Sequence, residues 1–216
     1  MVDTHDGGVR GQERHRDQEA EIHPANVIRP SSRRQSERRP RSHPGHSSLV
    51  IIIRDATPDE RSAIRELTLR AYAEYAEIME PASWRGLSQA LHDALASDEL
   101  VERIVAEDDG RLVGSAMLYA AETDAYGALV SRASAPEIRL VAVAPEARGR
   151  GVAKALVDEC IRRARAQGAT EVGLHTSRSM RAAMAMYANL GFTRAPERDF
   201  QPPGAELVEG YRLRLG

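Results

Sequence analysis

Val141-Ala-Val-Ala-Pro-Glu-Ala-Arg-Gly-Arg-Gly-Val-Ala153 is the stretch on which the reading of this chain turns. Its apolar residues up to Ala144 read as a strand, Pro145 stops that strand, and Gly149 and Gly151 open a helix. With no side chains at the two glycines, several backbone N–H groups of the turn and of Val152 and Ala153 can point into one cavity. Together with the positive end of the helix dipole they form an anion site, which implies a phosphate-bearing partner. Arg148 and Arg150 are placed to add charge-assisted bonds, one of them alternatively lying in solvent.

Outward from this stretch the elements come in order. Glu137 to Ala144 forms the strand, whose alternation puts Glu137, Arg139, Val141 and Val143 on one face and Ile138, Leu140 and Ala142 on the other. Val152, Leu156, Cys160, Ile161 and Ala164 share one side of the next helix, and Gly168 ends it. Glu171 to His175 reads as a short strand, Ser179 as the N-cap of a helix running to Asn189, and Glu206 to Leu215 as a closing strand. Upstream, Leu49 to Arg54 reads as a buried strand and Thr57-Pro58-Asp59-Glu60 as a helix start. Ile64, Leu67, Ala71, Tyr75 and Ile78 then lie on one face. Pro81 separates this helix from a second carrying Leu87, Leu91 and Leu95. The runs 100–107 and 111–121 flank Asp108-Asp109-Gly110 as an antiparallel hairpin. The predicted order is β-α-α-β-β-β-α-β-α-β-β, an α/β chain with a mixed sheet and helices on both faces.

The 216 residues hold 30 Lys+Arg against 32 Asp+Glu, which excludes a globally cationic nucleic-acid binder. The charge is unevenly placed, with net +2 over residues 1–47 and net −4 over the remainder. Pro, Ser, Gly, Arg and His dominate up to His46, so residues 1–48 are expected to be a disordered tail and 49–216 the folded domain. The basic run Arg33 to Arg41 has no aromatic residue for stacking and carries Glu37, so it reads as a solvated segment. Leu49 to Ile53 is the longest aliphatic run, far short of the ~20 residues of a spanning helix, and no signal-peptide h-region is present. No membrane is expected as partner. The single cysteine, Cys160, excludes an internal disulfide, and no Cys/His cluster at metal-ligand spacing accompanies it. No metal is expected, and a reducing cytoplasm fits best.

Walker A spacing and the dinucleotide fingerprint both fail in the 141–153 stretch. Arg148-x-x-Gly151-x-Ala153 instead resembles the acyl-CoA pyrophosphate loop of the GNAT-type acetyltransferases, whose pattern is Arg/Gln-x-x-Gly-x-Gly/Ala. Met186-Tyr187-Ala-Asn-Leu190-Gly191-Phe192 resembles the same family's Tyr-x-x-x-Gly-Phe segment. Met186 to Phe192 comes after the loop in the right order, with a strand between. The resemblance covers about Ile51 to Leu215. It implies a mostly antiparallel central sheet splayed between strands 4 and 5, with acetyl-CoA wedged in the gap. The main chain of Val141, Ala142 and Val143 would run beside the pantetheine, and Arg148, Gly149, Arg150, Gly151, Val152 and Ala153 would hold the pyrophosphate.

The implied activity is direct transfer of the acetyl group of acetyl-CoA to a primary amine of a small molecule or protein. The amine loses a proton, the oxyanion takes a donor, and the thiolate takes a proton. Tyr187 resembles the family's general acid, its alternative being a core residue in line with Met180, Met184 and Leu190. Glu137, at the head of strand 4, matches a position where some members place the base; its alternative is a strand-edge carboxylate paired with Arg139. His175 and water are the other candidate bases. The Val141 N–H would serve as oxyanion donor. Ser179 stands near the family's pantetheine-binding Asn, and an N-cap is the simpler reading. Cys160 lies on an apolar stripe and is taken as packing.

For the acceptor, the first helices offer Tyr72, Tyr75, Glu77, Trp84 and Arg85, each equally readable as helix surface. Pro196 to Phe200 and Pro202 to Gly204 form either a loop over the pocket or a surface connection. The expected partners are acetyl-CoA and an amine acceptor, without nucleic acid, and a homodimer is an open option. The second functional reading is a catalytically inactive acyl-CoA-binding regulatory domain; the third, a nucleic-acid binder acting through its basic tail.

Overall fold

Arg54 ties the first strand to its neighbours. Its guanidinium reaches Glu60 Oε1 at 2.7 Å and Glu107 Oε2 at 2.6 Å, joining β1 (Ile52–Asp55) to the first helix and to β2 (Val101–Asp108). The computed structural model describes residues 51–97, 101–123 and 134–216. The expected tail, Leu49, Leu100 and part of the loop before Glu137 lie outside the described residues. Thr57 to Glu60 is a helix start as expected, with the Thr57 N–H donating to Glu60 Oε2 at 2.7 Å. A 3-10 turn fills Pro58–Glu60, and α1 spans Arg61–Tyr72.

The single apolar face expected from Ile64 to Ile78 is cut short. Ala73, Ala76 and Glu77 each donate to the carbonyl three residues back, which tightens the turn and shifts the phase of the side chains. Ile64, Leu67 and Ala71 are buried, whereas Ile78 in the one-turn α2 (Tyr75–Ile78) is 59% exposed. Pro81 is the first residue of α3 (Pro81–Ala96), where its missing N–H costs nothing.

The sheet runs β1-β2-β3-β4-β5-β7-β6. The β2–β3 hairpin turns at Asp109 and Gly110, both at positive φ as a type I′ turn requires, and β3 covers Arg111–Tyr119. β4 (Glu137–Val143) pairs antiparallel with β3 and parallel with β5 (Glu171–Ser177). Every other pairing is antiparallel, ending in β7 (Val208–Arg214) and the two-residue β6 (Thr193–Arg194), which is the strand that the predicted order places before the closing one without assigning its residues. β4 and β5 share only the pairs Glu137–Gly173 and Ile138–Leu174 and then part, giving the expected splay.

α4 (Val152–Ala166) and α5 (Arg181–Asn189) cover one face around Leu156, Cys160, Val172 and Leu174. α1 covers the other through Leu67, Ala71 and Ala142, helped by a buried Thr68–Ser115 hydrogen bond. Gly114 lets α4 approach β3, since a Cβ there would stand 2.8 Å from Val152 Cγ1 and 3.1 Å from the Ala142 oxygen.

Two local expectations are corrected. Strict alternation along β4 fails, because Ser115 pairs with Ala142 and Met117 with Arg139, so β3 uses one residue where β4 uses two. Leu140, at φ +50°, is the centre of this bulge. Val141 and Val143 therefore pack with Ile138 against the α4 side, not with Glu137 and Arg139, while Ala142 faces α1. Ser179 does not cap α5, which begins at Arg181 behind Met180; its hydroxyl donates to Glu206 Oε2 at 3.1 Å instead.

Candidate active site

The loop between β4 and α4 has the backbone the two glycines permit. Gly149 and Gly151 stand at φ 73° and 80°, a region that costs a side-chain-bearing residue about 1–2 kcal/mol. A 3-10 turn at Pro145–Ala147 leads in, and Gly151 caps α4. The first hydrogen bond of α4 runs from the Ala155 N–H to the Gly151 carbonyl, so the N–H groups of Val152, Ala153 and Lys154 are not consumed by the helix. A Cβ built on Gly149 or Gly151 meets nothing within 4 Å, so the space over the loop is open. These free donors at a helix N-terminus, facing open space, fit a pyrophosphate.

The arginines are placed differently from the simplest expectation. Arg148 donates to Glu74 Oε2 at 2.6 Å and to the Ala71 carbonyl at 2.9 Å, pinning the loop to the end of α1. Arg150 pairs with Asp108 at 2.8 Å. Both guanidinium groups are therefore engaged by protein acceptors, and the donors that remain uncommitted at the loop are backbone groups.

At the bulge, Leu140 and Val141 have no partner on β3, and the pairing with β5 has already ended. The Tyr72 hydroxyl donates to the Val141 carbonyl at 3.3 Å. Tyr187 is 7% exposed on α5, with its ring edge-on to Phe192 at 5.7 Å, inside the main core and off the cavity wall. Burial pushes its phenol, and that of Tyr72, well above the ordinary tyrosine value, so both stay protonated donors. Cys160 is fully buried and its thiol is pushed up to about 12 by burial, which matches its reading as packing.

A cavity of about 700 Å³ opens beside the splay, walled by α3, the ends of β4 and β5 and the segment between β6 and β7. That segment is held firmly. Arg194 grips Asp199 through two bonds of 2.8 Å, the Gly210 N–H donates to Asp199 Oδ1, and Phe200 bridges to Val208. Gly210 and Gly173 make room for it, since a Cβ would come within 2.6 Å of Arg198 Cβ at the first and 2.9 Å of Arg198 Nη1 at the second. Phe200 and Pro202 line the cavity, so the segment is a wall of the pocket rather than a remote surface connection.

Glu137 and His175, distant in sequence, meet here. His175 Nδ1 lies 2.9 Å from Glu137 Oε1, and Nε2 lies 2.9 Å from the Arg198 carbonyl. Phe200 packs edge-on against the imidazole at 5.3 Å. His175 is on the cavity wall and Glu137 is not. Glu137 is buried and bonded to His175, and the Arg139 guanidinium lies 4.8 Å over the Tyr119 ring.

Of the acceptor candidates only Tyr72 reaches the cavity; Glu77 and Arg85 are exposed, and Tyr75 and Trp84 are partly buried elsewhere. Sequence reasoning missed Ser83, Leu87, Leu91, Ser177 and Glu206 on the wall. Leu87 and Leu91 are legible in the sequence only as an apolar helix stripe, and Ser83 continues that stripe one step of four earlier on α3. Ser177 and Glu206 carried no local signal. Among the described residues no His, Cys, Asp and Glu group could hold a metal ion, and no helix is long and apolar enough to cross a membrane.

The sequence model of the acetyltransferase (GNAT) family matches residues 62–192. No curated protein matches the chain in sequence. Solved structures similar to it include the PaiA N-acetyltransferase of Thermoplasma acidophilum in complex with coenzyme A, at 16% identity and TM-score 0.58, covering 77% of this chain and 100% of that one. The ribosomal-protein-S18-alanine N-acetyltransferase of Escherichia coli aligns at 18% identity and TM-score 0.53, over 77% of this chain and 95% of that one. The protein yncA of Salmonella typhimurium, solved with its cofactor acetyl-CoA, aligns at 21% identity and TM-score 0.53, over 77% and 95%. These likenesses concern the fold, and with the family match over 62–192 they place the chain in the GNAT acetyltransferase family.

Proposed function

We propose that the protein is an acetyl-CoA-dependent N-acetyltransferase that passes the acetyl group directly to a primary amine. The observation that carries this reading is the parted β4–β5 edge, which runs into a loop of left-handed glycines at the N-terminus of α4. A ladder left open offers main-chain groups to an extended arm, and the loop beyond it offers N–H groups to phosphate. In this reading Val141, Ala142 and Val143 flank the arm. The backbone of Arg148 to Ala153 holds the pyrophosphate, while the two arginines shape the rim through their carboxylate partners.

Acetyl-CoA supplies the acyl group as a thioester. Tyr187, kept protonated by burial, is the proposed donor to the departing sulfur. Glu137 acts with His175 as the proposed acceptor of the amine proton, the imidazole facing the cavity and the carboxylate holding it. The Val141 N–H is the proposed oxyanion donor. The amine enters the cavity between α3 and the segment after β6.

Titration of the full chain with acetyl-CoA by calorimetry tests the reading. Saturable binding together with CoA release on adding amines is expected; no binding at millimolar ligand would overturn it. The burial of Tyr187 in the core, off the cavity wall, favours a second reading as a CoA-binding domain without turnover. Binding without CoA release across an amine panel would select that alternative.

A further inference from the structure

The cavity holds polar atoms without partners. Glu206 Oε1, Thr176 Oγ1 and Ser177 Oγ are buried with no hydrogen-bond partner, and all three residues line the same cavity. Thr176 is 4% exposed and Ser177 5%. Buried polar atoms are nearly always paired, and a carboxylate oxygen is the costliest to leave alone. Glu206 is not loosely placed. Its other oxygen accepts from Ser179 at 3.1 Å and its N–H donates to Ser83 at 2.7 Å, so residues from two separate segments hold it in place.

The remaining wall is largely apolar, with Met79, Leu91, Ile138, Met180, Phe200 and Val208 among its residues. Its formal charges are Glu206 and Asp93 against Arg139, whose guanidinium lies over the Tyr119 ring, with His175 beside them. A fixed carboxylate oxygen with unfilled lone pairs in an apolar chamber is complementary to a cation carrying a hydrophobic body. It would repel an anion. The two hydroxyls can accept from an ammonium, which has three N–H donors to place.

We propose that the acceptor is a cationic amine on an apolar body, and that Glu206 Oε1 captures its ammonium group. This rests on reading the cavity as the acceptor site and names its substrate class. Glu206 is then a specificity residue that lowers the KM for amine, assisted by the hydroxyls of Ser177 and Thr176.

The test titrates the full-length protein with n-hexylammonium and with n-hexanoate, without and with acetyl-CoA, for wild type and Glu206→Gln. Hexylammonium is expected to bind wild type at least about tenfold more tightly than hexanoate, and Glu206→Gln is expected to weaken hexylammonium by about tenfold or more. The acetyl-CoA affinity should stay within about twofold and the Tm should not fall, because the free protein exchanges a buried, unpaired carboxylate oxygen for a neutral amide NH2 while the amide oxygen keeps the Ser179 bond. Absence of hexylammonium binding, equal or tighter hexanoate binding, or an unchanged hexylammonium affinity in a folded Glu206→Gln would overturn the proposal. Failure of the acetyltransferase reading shows separately, as loss of acetyl-CoA binding by wild type.

Discussion

His175 links Glu137 to the segment after β6, with Nδ1 2.9 Å from Glu137 Oε1 and Nε2 2.9 Å from the Arg198 carbonyl. The Arg198 carbonyl can only accept, so Nε2 is the ring nitrogen suited to donate there, and Nδ1 is the one turned to the Glu137 carboxyl. The two side chains are only 6% and 5% exposed. The two side chains are thus coupled, and of the two only His175 reaches the cavity wall.

Glu137→Gln keeps a hydrogen-bonding group but cannot take up a proton. The expected outcome is a fall in kcat of about 10²-fold or more, with the KM for acetyl-CoA little changed. His175→Ala leaves the Arg198 carbonyl and Glu137 without their common partner, and should also destabilise by about 1–3 kcal/mol. Steady-state kinetics and thermal denaturation of the two variants separate these effects. An active Glu137→Gln enzyme would remove the pair from the chemistry.

Tyr187→Phe deletes only a hydroxyl and preserves the ring packed on Phe192. A loss in kcat of about 10²-fold with the Tm retained is expected if the phenol donates to the leaving sulfur. Wild-type turnover in this variant would assign Tyr187 to the core alone.

Gly114 and Gly151 should respond differently to valine. At Gly114 the new side chain collides with Val152 and the Ala142 carbonyl, and overpacking of about 1–3 kcal/mol is expected as a lowered Tm. At Gly151 nothing obstructs a Cβ, but φ is +80°, so the stability loss should be near 1 kcal/mol. The larger effect there is on acetyl-CoA affinity, read by calorimetry, because the side chain enters the space the loop leaves open.

Acid should loosen the junction of β1, β2 and α1. The Arg54 hydrogen bonds, and next the Thr57 N–H, lower the Glu60 carboxyl from 4.5 to about 2. Arg162 and then Arg163 lower Glu159 from 4.5 to about 2 as well. A carboxylate whose folded pKa is depressed stabilises the fold above its unfolded value and loses that contribution as pH falls through the folded one. The Tm should therefore decline as pH drops from about 4.5 toward 2, and Glu60→Gln should flatten part of that decline. An identical acid profile in the variant would show that the Arg54 pair contributes nothing.

Much of the architecture was legible because it is locally encoded. The apolar period of α4, the Asp109-Gly110 hairpin and the left-handed Gly149 and Gly151 each depend on the conformational preferences of a few neighbouring residues. The loop proposed to hold the cofactor was legible for that reason. The bulge at Leu140 was not, since a non-glycine residue at positive φ has no signature of its own and arises from the unequal pairing of β3 against β4.

The order of amino acids alone settles the family motifs, the succession of elements and the mixed sheet, because backbone geometry and hydrophobic period act over short range. The site's partners are settled only when the chain has folded. Glu137 meets His175 across 38 positions, Arg148 meets Glu74 across 74, and Glu206 is held by Ser83 across 123. Which polar groups find one another is set by strand order and by the path of the segment after β6, and those depend on burial of the whole core rather than on any local stretch.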